Sequence, residues 1–244
     1  MDELAAAAAP GSALGRFAQV VLAALLTLGS LAYGIGLLRR AGLVLFPEQF
    51  LAGIYGVCLA LLFISFPARR GTARRVIPWY DWLFALAGLA VGLYVAAAFP
   101  RLTAAAGTVS AELLALAGIL TFLTMEGTRR TSGYSLIVIT FVLAVWVLVG
   151  HLVPGQLRTH KVEAGSLAVY LNFDNNGLLG LVLEIASTIV IAFVLMGQLL
   201  ARSGGSGFFN DFALGLMGRF RGGAAKIAVV ASSLFGSISG IAAA

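Results

Sequence analysis

The residues best suited to chemistry lie near the end of the 244-residue chain. Ser237 and Ser239, followed by Gly240, stand in an apolar run that also holds Ser232, Ser233 and Gly236. A spanning helix ordinarily fills such positions with Leu and Phe. Small hydroxyl residues beside glycines suit a helix that breaks inside protein, where freed carbonyls and hydroxyls meet an ion or a solute. Close helix packing uses the same small residues, and composition alone favours packing.

Other polar groups carry less. Glu184 is the one acid well inside an apolar run, and an intramembrane carboxylate is a functional candidate by default. Its shallow depth, and Arg158 or Lys161 as partners, favour a group that reaches the interface instead. Asp81 and Glu126 stand near arginines at span ends and read as ion pairs rather than proton carriers. His151 and His160 have no partners at ligand spacing, and Cys58 is alone, so a metal site is not expected. Catalysis is not expected either. Ser237-Ile238-Ser239-Gly240 has Ser where an intramembrane serine protease needs Gly, and no HExxH, GxSxG or phosphate loop occurs.

The elements that must position these residues are membrane spans. Sixty per cent hydrophobic and eleven per cent charged residues place the chain in the integral-membrane class. With such hydrophobicity, a net charge of +6 points to anionic lipid headgroups and not to nucleic acid. Six apolar runs are long enough to cross a bilayer, at about 17–38, 47–66, 82–99, 109–125, 134–153 and 178–200. Residues 1–16 form a tail, and a polar loop is expected from Pro154 to Asn176. Gly88 and Gly92 form a GxxxG pair, a weak signal in a Gly-rich chain.

After the sixth run, residues 203–207 read SGGSG, a helix breaker. In the next stretch Phe208, Phe212, Leu216 and Phe220 recur at four-residue spacing among Asn210, Asp211, Arg219 and Arg221. That pattern predicts a helix over 207–221 lying along the membrane surface. With the N-terminus cytoplasmic, eleven basic residues fall inside and five outside, so the positive-inside bias favours that orientation. The surface helix then lies on the cytoplasmic side.

Residues 222–240, GGAAKIAVVASSLFGSISG, resemble the entry to the first re-entrant hairpin of the large membrane subunit of tripartite ATP-independent periplasmic (TRAP) transporters. Gly222, Gly223, Ala225, Lys226, Ser232, Gly236, Ser239 and Gly240 carry the match, and Ile241 stands where the family has Ser. MEGTRRTSG at 125–133 resembles the end of the small membrane subunit, and HLVPGQL at 151–157 the segment after a connecting helix. The resemblance implies a fused permease with four parts: a tail (1–16), a small-subunit-like four-helix domain (17–130), a connecting helix and periplasmic loop (131–176), and the start of the large-subunit-like domain (177–244). The fold implied is all-α and membrane-embedded, with six spans, a cytoplasmic interfacial helix and the first limb of a re-entrant hairpin.

The function implied is Na+-driven uptake of an organic acid handed over by a periplasmic solute-binding protein, in the bacterial inner membrane. Na+ would be the coupling ion, without another cofactor. Ser237, Ser239 and Gly240 become the ion or substrate site, and Gly222, Gly223 and Gly236 the hinges. The chain stops at Ala244, which supports a second expectation: a truncated scaffold that assembles but moves no solute.

Overall fold

The computed structural model describes residues 13–43, 45–68, 77–104, 110–152, 160–218 and 222–239. These residues are almost wholly helical, with no strand among them. In chain order the principal helices are α1 (Ala13–Gly34), α2 (Pro47–Ser65), α3 (Trp79–Ala104), α4 (Ala111–Thr131), α5 (Tyr134–Val149), α6 (Ala164–Phe173), α7 (Leu181–Arg202), α8 (Gly205–Met217) and α9 (Gly223–Ser239). Helices α1 to α5 and α7 form six candidate spans by length and hydropathy, in keeping with the six apolar runs. The chain is thus a multi-pass membrane protein.

The centre of the fold is α2 and α3, which touch backbone to backbone. A Cβ on Gly92 would stand 2.6 Å from the Gly56 Cα and 2.7 Å from the Ala52 carbonyl oxygen. One on Gly88 would stand 2.9 Å from the Leu59 Cβ. Association in lipid lacks the driving force of apolar burial from water, so close van der Waals contact along small residues has to supply it. The Gly88–Gly92 pair is therefore the packing face of α3, and Gly56 is its counterpart on α2.

Helix α4 closes the group. Ala52, Val95, Phe99, Leu113, Leu116, Leu120 and Leu179 bury one core, and Leu59, Phe63, Ile64, Ala85 and Leu123 a second. Polar side chains fix the register between them. The Tyr55 hydroxyl lies 2.7 Å from Thr124 Oγ1, and Gln49 Nε2 donates to the Ala96 carbonyl at 2.9 Å. Helix α1 runs antiparallel along α2, held by Gln19 Nε2 donating to Ser65 Oγ at 3.2 Å. Helix α5 buries none of its residues, and most of its Val, Leu, Ile and Phe remain exposed as facing acyl chains requires.

Several boundaries differ from the sequence expectation. Helix α3 begins at Trp79, not Trp82, and continues past Phe99 through Pro100 to Ala104. Helix α4 runs on past Met125 to Thr131, because the charges of Glu126, Arg129 and Arg130 pair with one another and with α3 instead of ending the helix. Part of the expected polar loop up to Asn176 is helix α6. Its Asn172 is 2% exposed and donates to Thr121 Oγ1 at 2.9 Å and to the Ala168 carbonyl at 2.8 Å. Thr121 is ten residues into α4, about 15 Å along its axis, so the end of α6 reaches deep beside the span.

Asn172→Leu should lower stability by about 1–2 kcal/mol, the range of a hydrogen bond between membrane helices. Thermal unfolding in detergent reads this. Thr121→Val added to Asn172→Leu should cost less than Thr121→Val alone, since the shared bond is already gone.

Candidate functional site

The segment carrying the serines is built from α7, α8 and α9. Helix α7 contains a π-helical turn at Ala186–Val190. Ser187 Oγ and Thr188 Oγ1 both donate to the Glu184 carbonyl, at 3.2 and 2.6 Å, occupying an oxygen at the junction where the helix widens. The break after α7 is shorter than the SGGSG stretch. Ser203 and Gly204 make the turn, Gly204 at φ 91°, and α8 starts at Gly205. A Cβ on Gly205 would lie 2.7 Å from the Leu200 carbonyl oxygen, so the turn stays tight only with glycine there.

In α8, Phe208 and Phe212 stack with centroids 6.2 Å apart and planes 16° apart. They are 65% and 47% exposed, while Ala213 on another face is fully buried. Leu216 continues the exposed stripe; Arg219, Phe220 and Arg221 lie outside the described residues. Gly222, at φ 76°, leads into α9, which packs on α8 and α7. Gly223 is the first residue of α9.

Helix α9 is continuous from Gly223 to Ser239, so Gly236, Ser237 and Ser239 sit in its final turns. Gly240, Ile241 and the expected break lie outside the described residues. At 17 residues α9 extends about 25 Å, short of the ~30 Å hydrocarbon layer. Ala231 is buried, whereas Ser232 and Ser233 are exposed.

The acids flagged by sequence separate into two environments. Asp81 and Arg130 are fully buried and paired at 2.6 Å, and Arg130 also bonds Glu126 at 2.8 Å. Arg130 Nη1 donates to the Phe66 carbonyl at 3.3 Å, and its guanidinium lies 4.8 Å from the Phe63 ring centroid and 5.6 Å from that of Phe84. Arg129 bonds both Glu126 oxygens, at 2.7 and 2.8 Å. This network joins the ends of α2, α3 and α4. Arg130 as its hub was not singled out from sequence; the apolar neighbours Phe63 and Phe84 mark it only once the helices are packed.

Glu184 lies elsewhere, half-buried in the wall of a cavity between α1 and α7. It makes no ion pair with Lys161, and Arg158 lies outside the described residues. His151 Nδ1 is 2.9 Å from the Leu148 carbonyl oxygen. No group of three His, Cys, Asp or Glu able to hold a metal occurs among the described residues.

Two apolar helices too short to be counted as spans, α6 and α9, thus accompany six long ones, and the serines lie at the end of one of them. The model of the family described as tripartite ATP-independent periplasmic transporter, DctM component, matches residues 119–244. No curated protein and no solved structure matches the chain. The matched region begins inside α4, upstream of residue 177, and runs through α5 to α9. The family is one of transporters and not of enzymes, and its tripartite systems join membrane components to a solute-binding protein. With just over half of its length matched, the chain belongs to the DctM family of TRAP transporter components.

Proposed function

We propose that the chain acts as a permease component for Na+-coupled uptake of an organic acid delivered by a periplasmic solute-binding protein. The observation that carries this reading is the DctM match over the same residues that contain the short helix α9 and its terminal Gly-Ser turns. A helix ending at membrane depth leaves its last carbonyls without intrahelical partners. Carbonyls and serine hydroxyls together offer the several oxygens that a dehydrated Na+ requires. In this reading Ser237, Ser239 and Gly240 hold the ion, while Gly222, Gly223 and Gly236 let the α8–α9 hairpin adjust. The four-helix part, residues 17–130 in the domain division above, braces the moving part through its closely packed α2–α3–α4 core.

The reading includes an orientation. With the N-terminus on the cytoplasmic side of the inner membrane, α8 lies along the cytoplasmic surface. Its exposed Phe208 and Phe212 would sit among acyl chains, and α9 would dip inward from there. Thirteen residues extend about 20 Å, too short to cross. In a Cys58→Ser background, a membrane-impermeant maleimide should label Glu163→Cys from the periplasm and Ser132→Cys only after permeabilisation. The reverse pattern would refute the orientation.

Transport itself is tested with the permease in proteoliposomes, screening organic acids with their binding proteins. Uptake should require both the binding protein and an inward Na+ gradient. Equal uptake with K+ in place of Na+, or without the binding protein, would remove the corresponding part of the proposal.

A further inference from the structure

The cavity between α1 and α7 has about 1000 Å³ and mixed chemistry. Its polar lining includes Ser30, Arg39 and Glu184, and its apolar lining includes Ile35, Ile189 and Phe193. Ser30 is 1% exposed, yet its Oγ has no hydrogen-bond partner, an uncommon state for a buried hydroxyl. In the same lining, the carboxylate of Glu184 makes no ion pair among the described residues, although a charge within an apolar span is costly unless paired. The π-helical turn at Ala186–Val190 supplies Thr188 and Ile189 to this wall, so the irregular part of α7 faces the cavity. Two charges of opposite sign, an unpartnered hydroxyl and an apolar flank converge on one space.

We propose that this cavity, with Glu184, Arg39 and Ser30 at one place between α1 and α7, binds a phospholipid whose headgroup carries a primary amine. The ammonium offers three N–H donors to the Glu184 carboxylate, and the phosphate accepts from the Arg39 guanidinium. Ser30 can donate to the phosphate or accept from the amine. The acyl chains lie against Ile35, Ile189 and Phe193, which are 65%, 50% and 50% exposed in the chain alone. A soluble phosphate ester would leave that apolar flank uncovered. A choline headgroup would reach Glu184 without an N–H to donate. The lipid would fill the seam between the first span and the helix that leads to the serine-bearing segment.

The test is a lipid titration of the delipidated full chain, followed by native mass spectrometry. The probes are phosphatidylethanolamine, its mono- and dimethyl derivatives, phosphatidylcholine and glycerophosphoethanolamine. Phosphatidylethanolamine should bind about tenfold more tightly than phosphatidylcholine, with affinity falling at each added methyl. Glu184→Gln should bring the two lipids to equal affinity, and Arg39→Gln should weaken both. Equal affinity of the wild type for the two lipids would overturn the proposal. So would unchanged selectivity in Glu184→Gln, or glycerophosphoethanolamine binding as tightly as the intact lipid. Should Glu184→Gln fail to fold, the wild-type methylation series decides alone.

Discussion

Arg130→Ala should destabilise the helix bundle by about 3–5 kcal/mol, because it takes the guanidinium away from the buried Asp81 carboxylate, while Glu126 keeps its two bonds to Arg129. Asp81 is fully buried and lies 2.6 Å from Arg130, and Glu126 shares the same guanidinium from one turn away. Arg130→Lys should recover only part of the loss. An ammonium cannot keep the planar fork that reaches Asp81, Glu126 and the Phe66 carbonyl together, nor lie over Phe63 and Phe84 in the same way. The double variant Arg130→Met with Asp81→Leu should be more stable than either single one, since it removes both members of the buried pair. Thermal unfolding in detergent measures all of these variants. The exposed Arg101–Glu112 pair is the control, and breaking it should cost less than about 1 kcal/mol.

Gly92→Leu should be still more damaging. Its Cβ would arrive 2.6 Å from a backbone atom of α2, where no side-chain rotamer can give way. The two central helices would have to separate, exceeding the roughly 1–3 kcal/mol of ordinary overpacking. Gly118→Leu on α4, where nothing lies within 4 Å, should leave the unfolding temperature nearly unchanged. A cysteine pair across the α2–α3 contact that still crosslinks at the wild-type rate in Gly92→Leu would contradict the predicted separation.

What could be read from sequence followed physical signals strong enough to stand without neighbours. Six spans announce themselves because twenty apolar residues have few other places to go. The GxxxG of α3 was visible as a pattern, but its meaning depended on Gly56, which no spacing connects to Gly88 or Gly92. Charges were misleading at the end of α4. Glu126 and Arg130 looked like a boundary with water, whereas the buried network keeps them inside a helix. Asn172 misled in the same way, since a polar residue among Tyr170, Asn175 and Asn176 reads as loop until Thr121 accepts its proton.

Glu184 was flagged by sequence, but its company was not. Ser30 lies in α1 and Arg39 just beyond its end, about 150 residues away in the chain, and only the approach of this segment to α7 brings the three to one cavity. The serine segment shows the opposite case. Its composition and its family resemblance single it out, while the described helix ends at Ser239, within the motif itself.

Ion coupling through the end of α9 is tested most directly by the Na+ concentration that gives half-maximal uptake in proteoliposomes. Losing one coordinating oxygen should raise that concentration about tenfold, the equivalent of one ordinary hydrogen bond or ion contact. Ser239→Ala and Ser237→Ala should each show this shift, with organic-acid affinity changing less than Na+ affinity. Ser232→Ala, at an exposed position earlier in the same helix, should leave it unchanged. Half-maximal Na+ equal to wild type in both Ser237→Ala and Ser239→Ala would contradict the assignment of these hydroxyls to the ion.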